Sequence, residues 1–334
     1  MDAVEAKGLT KKFGDLVAVD HVDFNVKWGE LFGFLGPNGA GKTTTINMLI
    51  TLLKPTEGTA TVAGYDILKE PEKVRKKIGV VFQDPTLDRQ LTGWENLWIH
   101  GKIYGLSSVE LKTKIRDFLE FVELESWANV QVKNYSGGMM RRLEVARALL
   151  YNPEILFLDE PTLGLDPQTR VHIWNYIQRL RKERKVTIFL TTHYMDEAEK
   201  LCDRVAIIDH GKIIANGTVE ELKSLIGNEI IYVRINNADK LHSFIQVLRG
   251  QGFAEKVQPI SDNMASISTK KASETIPMVF DIAQGLGVNV NEVTYHAPTL
   301  EDVFLNLTGR RLRDEKASFF DHVRMRRMRR IRRR

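Results

Sequence analysis

Residues 31–50, LFGFLGPNGAGKTTTINMLI, constrain the fold more than any other stretch of this chain. LFGFLG is an apolar run ending in glycine, the pattern of a buried strand, and INMLITLL is an apolar stretch of helical length. Between them lies PNGAGKTT. Strand, glycine loop and helix in that order form the context that the pattern G-x-x-x-x-G-K-[ST] requires. The loop comprises Gly36, Pro37, Asn38, Gly39, Ala40, Gly41, Lys42, Thr43 and Thr44. Its glycines let backbone N–H groups curl around β- and γ-phosphates. Lys42 would neutralise phosphate charge, and the Thr43 hydroxyl would ligate Mg²⁺.

A second apolar run, ILFLDE at 155–160, delivers two acids at its end. That pattern describes a buried parallel strand with carboxylates at its C-terminal edge, where α/β sheets bind ligands. Asp159 would hold the Mg²⁺ shell, directly or through water, and Glu160 would orient the attacking water as general base. IGVVFQ (78–83), VTIFLTTH (186–193) and RVAIIDH (204–210) complete a sheet alternating with helices, a doubly wound α/β core. Gln83 and His193 each close a strand at the edge that carries the loop and Glu160. That convergence points both at a γ-phosphate.

KNYSGGMMRR (133–142) reads as a second helix start suited to an anion, far from the first. GPNGAGKT, Gln83, YSGGM, ILFLDE, GLD (164–166) and His193, in this order and spacing, resemble the ATP-binding subunit of an ABC transporter over about residues 3–220. The resemblance implies ATP and Mg²⁺ as cofactors and an ATPase coupled to transport. It makes Phe13 in TKKFG the aromatic that stacks on adenine, and Gln83 the link between Mg²⁺, water and the membrane partner. Ser136, Gly137 and Gly138 become the signature loop, Asp166 the loop that crosses the dimer, and His193 the γ-phosphate clamp. It also explains the two anion sites: the signature helix caps ATP held by an opposing subunit, so two chains sandwich two ATPs. Met139 departs from the family's usual glutamine and cannot donate a side-chain hydrogen bond, leaving Ser136 and the glycine N–H groups. LTGWENL (91–97), YSGGMMRRLEVARAL and HAPTLEDVFLNLTGR (296–310) resemble daunorubicin-resistance-type exporters. That implies a separate integral-membrane permease and export of a drug-like or other hydrophobic compound. The alternative is a non-transport ABC ATPase acting on nucleic acid or ribosomes. Such proteins typically carry two cassettes or long insertions, and the pattern here has neither.

Length and charge set the remaining expectations. At 334 residues, a norm of about 150 per domain predicts two. After residue 226 the order EIIYVRI, ADKLHSFIQVLRG, FAEKVQPI, MASIST, ASETIPMVFDIAQGLG, VNVNEVTYH reads βαββαβ, the ferredoxin-like order. The expected domains are a cassette at 1–226 with a helical part near 88–152, a ferredoxin-like accessory or regulatory domain at 227–309, and a basic tail at 310–334. The tail holds twelve Arg and Lys against three acids, a net +9 within a whole-chain +5, so the other residues sum to −4. An acidic body argues against nucleic acid as a partner. Aromatic, Met and Ile residues interleave with the tail arginines, which suits an anionic membrane surface. One cysteine, Cys202, excludes an internal disulfide and fits a reducing compartment. With no long apolar span and no signal-like N-terminus, the expected location is peripheral, at the cytoplasmic face of the cell membrane.

Overall fold

Strands Leu31–Leu35, Ile155–Asp159 and Thr187–Thr192 are buried at every position, as expected where helices cover both faces of a sheet. They are the centre of a six-stranded sheet in the computed structural model, which describes residues 2–309. The basic tail, and with it the membrane contact expected of it, lies outside the described residues. The sheet runs Lys212–Thr218, Arg204–Asp209, Leu31–Leu35, Thr187–Thr192, Ile155–Asp159, Ile78–Val81. The last five strands pair in parallel. Register sets Leu35 opposite Thr192, Asp159 opposite Thr191 and Val81 opposite Leu158. The loop after Leu35, Glu160, His193 and the turn holding Gln83 therefore leave the sheet at one edge.

A second sheet, which no sequence pattern announces, covers this core. Val4–Phe13, Leu16–Val26, Glu57–Val62 and Tyr65–Asp66 form an antiparallel set. Its Phe24 joins Phe32, Phe34, Phe157 and Phe189 in an aromatic cluster, ring centroids 5.4–5.9 Å apart. Spacings of this kind are the favourable range for offset and tilted rings. Between Asp88 and Asn152 the chain forms helices Gly93–Ile103, Ser108–Phe121 and Gly137–Leu149. Thr92 opens the first with a capping box to Glu95, and Ser107 and Ser136 cap the other two.

The compact units divide between Asn216 and Gly217, earlier than the composition change near 226. Helix Val219–Ser224 opens on a capping box between Thr218 and Glu221, and it packs on helix Leu300–Thr308 of the second unit. That unit is a four-stranded antiparallel sheet in the order Lys256–Ser261, Met264–Thr269, Glu229–Ile235, Val290–His296. Helix Leu241–Arg249 lays Leu241, Phe244, Ile245 and Leu248 into its core, the one-sided spacing of a helix on a sheet. No helix among the described residues is long and apolar enough to cross a membrane.

Candidate functional site

The loop between Leu31–Leu35 and helix Lys42–Leu49 keeps its path through glycine. Gly41 stands at φ 109°, and a Cβ there would lie 2.6 Å from the Ala18 carbonyl oxygen. At Gly36 a Cβ would lie 2.2 Å from the Ile208 carbonyl oxygen, so any side chain must push backbone aside. Successive N–H groups in such a turn form a nest for an anion.

Lys42 is buried at the mouth of this loop. Its Nζ donates to the carbonyls of Gly36 at 2.8 Å and Pro37 at 2.9 Å, and it pairs with Glu160 Oε1 at 3.0 Å. The second oxygen of Glu160 lies 3.0 Å from His193 Nδ1. Glu160 itself sits at φ 46°, a left-handed conformation that non-glycine residues rarely adopt and that concentrates at functional sites. Its N–H donates to the Thr191 carbonyl and hydroxyl oxygens, both at 3.1 Å. The Thr191 hydroxyl in turn donates to Asp159 Oδ1 at 2.6 Å, and Thr43 Oγ1 donates to the same oxygen at 3.4 Å.

The two neighbouring carboxyls are driven apart. Burial pushes Asp159 up, against the hydrogen bonds from Thr191 and Thr43. Burial works the same way on Glu160, but His193's hydrogen bond and the Lys42 charge outweigh it and hold Glu160 below the ordinary glutamate range. Glu160 is thereby held in its ionised form, the form that can accept a proton, and the same pairs weaken it as a base for as long as they hold.

Five expected residues thus fall into two groups, Lys42–Glu160–His193 and Thr43–Asp159, which Thr191 joins. The signature residues gather elsewhere. Ser136 Oγ accepts from Met139 N at 3.2 Å, and Asp166 accepts from the Thr169 N–H at 2.9 Å and from its hydroxyl at 2.6 Å. These two helix starts touch. A Cβ on Gly138 would come within 2.4 Å of Thr169 Cγ2, and one on Gly137 within 3.3 Å of Leu165 Cδ2. Phe13 is exposed at the end of its strand with Lys11 Nζ 5.2 Å from its ring centre. Gln83 follows Ile78–Val81, its backbone carbonyl accepting from Arg141 at 3.0 Å. Thr191 escapes a reading of the sequence, because a threonine inside a strand carries no pattern of its own. Arg141 and Glu144 escape it for the opposite reason: in MMRRLE they read as ordinary surface charges.

The chain is 37% identical over 313 residues to the daunorubicin resistance ATP-binding protein DrrA3 of Streptomyces coeruleorubidus, spanning 92% of this chain and 96% of that one. It is 39% identical over 312 residues to the linearmycin resistance ATP-binding protein LnrL of Bacillus subtilis (strain 168), spanning 93% and 100%. The family model for the ABC transporter matches residues 19–163. The chain belongs to the ATP-binding subunits of ABC transporters. A second match, to the C-terminal domain of ATP-binding proteins like DrrA1-3, covers 217–308. Among solved structures, cbiO1 from Clostridium perfringens superposes with a TM-score of 0.62 at 29% identity, over 66% of this chain and 90% of that one. The ATP-binding cassette MJ0796, a dimer in a post-hydrolysis state bound to ADP and Pi, gives 0.58 at 32% identity over 64% and 98%. The cassette is therefore a P-loop ATPase of a transporter.

Proposed function

We propose that this cassette powers a separate membrane permease that exports a drug-like or other hydrophobic compound. The observation that carries the reading is the chain Lys42–Glu160–His193, its lysine and glutamate buried, beside Thr43–Asp159 at one sheet edge. The loop N–H groups of 36–44 would hold the β- and γ-phosphates, and Phe13 would stack on adenine. Lys42 would turn from Glu160 to the γ-phosphate. Glu160, so released, would take the proton of the attacking water, which Gln83 orients. His193 would donate from its ring to the departing γ-phosphate.

The residues suit a magnesium ion. Thr43 and Asp159 offer hard oxygen ligands already turned toward one another, and Mg²⁺ commonly binds through one or two protein groups plus phosphates and water. Among the described residues no cluster of three or more acid, His or Cys ligands exists, which such a shared site does not need. When bound, the ion neutralises phosphate charge. Gln83 would complete its surroundings.

Each chain supplies one half of two sites. Ser136, Gly137, Gly138 and Asp166 would face the nucleotide of a second copy, consistent with the dimeric state of MJ0796. The assembly would sit peripherally at the cytoplasmic face of the cell membrane. Export, rather than import, follows from the resistance proteins this chain resembles over nearly its full length. Co-expressed with a six-helix permease, the chain should lower cellular accumulation of a hydrophobic antibiotic, and Lys42→Ala should abolish that effect. Equal accumulation with and without the functional cassette, across a panel of hydrophobic compounds, removes the exporter reading.

On its composition alone, the basic segment 310–334 suits an anionic inner leaflet, each arginine near such a surface contributing about 1 kcal/mol. The full chain should co-sediment with anionic but not neutral vesicles at low salt, and a chain ending at Ala317 should not. Equal co-sedimentation of both chains refutes the membrane contact.

A further inference from the structure

The signature helix Gly137–Leu149 carries two charged side chains that are almost fully buried, Arg141 at 5% exposure and Glu144 at 1%. They pair with each other at 3.1 Å. Arg141 also donates to the carbonyls of Phe82 at 2.6 Å and Gln83 at 3.0 Å. Glu144 Oε1 accepts from the Thr86 N–H at 2.7 Å and from its hydroxyl at 3.3 Å. One turn on, Arg147 donates to the Thr86 carbonyl at 3.0 Å and to its hydroxyl. One helix therefore binds the backbone on both sides of the Gln83 turn. Burying an ion pair gains little stability over apolar packing of the same volume, so stability alone gives no reason for charges here. What they add is directional grip: each bond fixes one backbone group, and breaking any leaves a buried polar atom unpaired.

We propose that Arg141, Glu144 and Arg147 clamp residues 82–86 to the signature helix, so that docking of Ser136 onto the second copy's nucleotide is transmitted to Gln83 in the chain's own site. The inference rests on the functional reading above for Ser136 and Gln83. The helix is a short rigid rod, and Arg141 lies about one turn from the Ser136 end. A shift at that end reaches the clamp without passing through a loop. The three are positioning residues: they act on Gln83 and touch no nucleotide. Burial works against the Arg141 charge, and the Glu144, Asp159, Asp84 and Glu197 carboxylates offset it.

Amide exchange in mixed dimers tests the clamp. Chains with Lys42→Ala are combined with chains carrying Ser136→Arg. The one complete site then joins Lys42 of the second chain to Ser136 of the first, whose own phosphate loop is disabled. A non-hydrolysable MgATP analogue should slow exchange across 82–88 of the first chain at least fivefold. The slowing should vanish when that chain also carries Arg141→Met and Glu144→Met. Slowing that survives the double substitution, or no slowing with the clamp intact in a dimer that sedimentation shows to be formed, overturns the proposal.

A second measurement needs no mixed dimer. Arg141→Met/Glu144→Met in both chains should lower the melting temperature, because Phe82, Gln83 and Thr86 lose side-chain partners. The chain should stay folded and keep its affinity for ATP within threefold while kcat falls at least tenfold. An unchanged kcat overturns the proposal too. Gln83→Ala separates the two layers. If that variant keeps full kcat, the role assigned to Gln83 fails, and the exchange result still decides the clamp. If no dimer forms at all, the sandwich reading fails and the transmission falls with it, whereas a dimer whose exchange ignores the clamp overturns the transmission alone.

Discussion

Glu160→Gln lowers ATP turnover by about two to four orders of magnitude, the range that a positioned general base contributes, and it does so without loss of ATP binding. The substitution keeps the shape of the side chain and removes its charge. Glutamine retains a partner for His193, which stands 3.0 Å from one Glu160 oxygen, and it tolerates the same backbone as glutamate. What disappears is the proposed acceptor for the proton of water. Lys42 changes as well. In the wild-type chain it is paired to Glu160 at 3.0 Å, and a γ-phosphate must compete with that carboxylate. In the variant it keeps its two carbonyl partners and meets the phosphate without that competition. ATP affinity should therefore hold or tighten while kcat collapses. Held ATP should keep two chains together, and sizing chromatography with MgATP should show a dimer that wild type loses as it hydrolyses. Turnover within a fewfold of wild type takes the role of base away from Glu160.

How much of this site could be read from residues alone depends on how local each signal is. Strand, loop and helix around Lys42 are contiguous, and so are the apolar run and acids of ILFLDE. Each motif carries its own flanks, which is why the parallel core, and the residues that meet at its edge, were legible. The antiparallel sheet was not. Val4–Phe13 pairs with Glu57–Val62 across a long separation, its register shifting between Lys7 and Thr10. Its strands are buried on one face only, so no unbroken apolar run announces them. Thr191 escaped for a related reason: its worth lies in meeting Asp159 and Glu160 from a neighbouring strand. Arg141 and Glu144 mislead more actively, because charged residues are almost never fully buried unless paired, and the partner that reverses the expectation includes backbone carbonyls nearly sixty residues upstream. The unit boundary moved for a packing reason. Helix Val219–Ser224 lies beside Leu300–Thr308, a partner that no local composition change can reveal.

On the proposed two-chain arrangement, mixing two inactive variants should restore activity, because the two helix starts would serve different nucleotides. Lys42→Ala removes the ammonium that lies at the mouth of the loop. Ser136→Arg removes the cap on Met139 N, a change costing about 0.5–2 kcal/mol of helix stability, and fills the phosphate-facing surface with a long side chain. Each homodimer then has two damaged sites and should be silent. A mixed dimer concentrates both lesions in one composite site and leaves the other whole. With random pairing, half the dimers are mixed and half their sites intact, so activity should return to about a quarter of wild type if a symmetric pair builds both sites from the same patches. Should hydrolysis need both sites together, turnover stays absent, yet each mixed dimer still traps a single ATP, which filter binding counts. The alternative arrangement, in which Ser136 and Lys42 of one chain act on the same nucleotide, forbids both results. In that case every chain carries a lesion in its only site, and mixing changes neither turnover nor trapped ATP. A strict monomer in the analytical ultracentrifuge with full ATPase activity would rule out the shared sites as well.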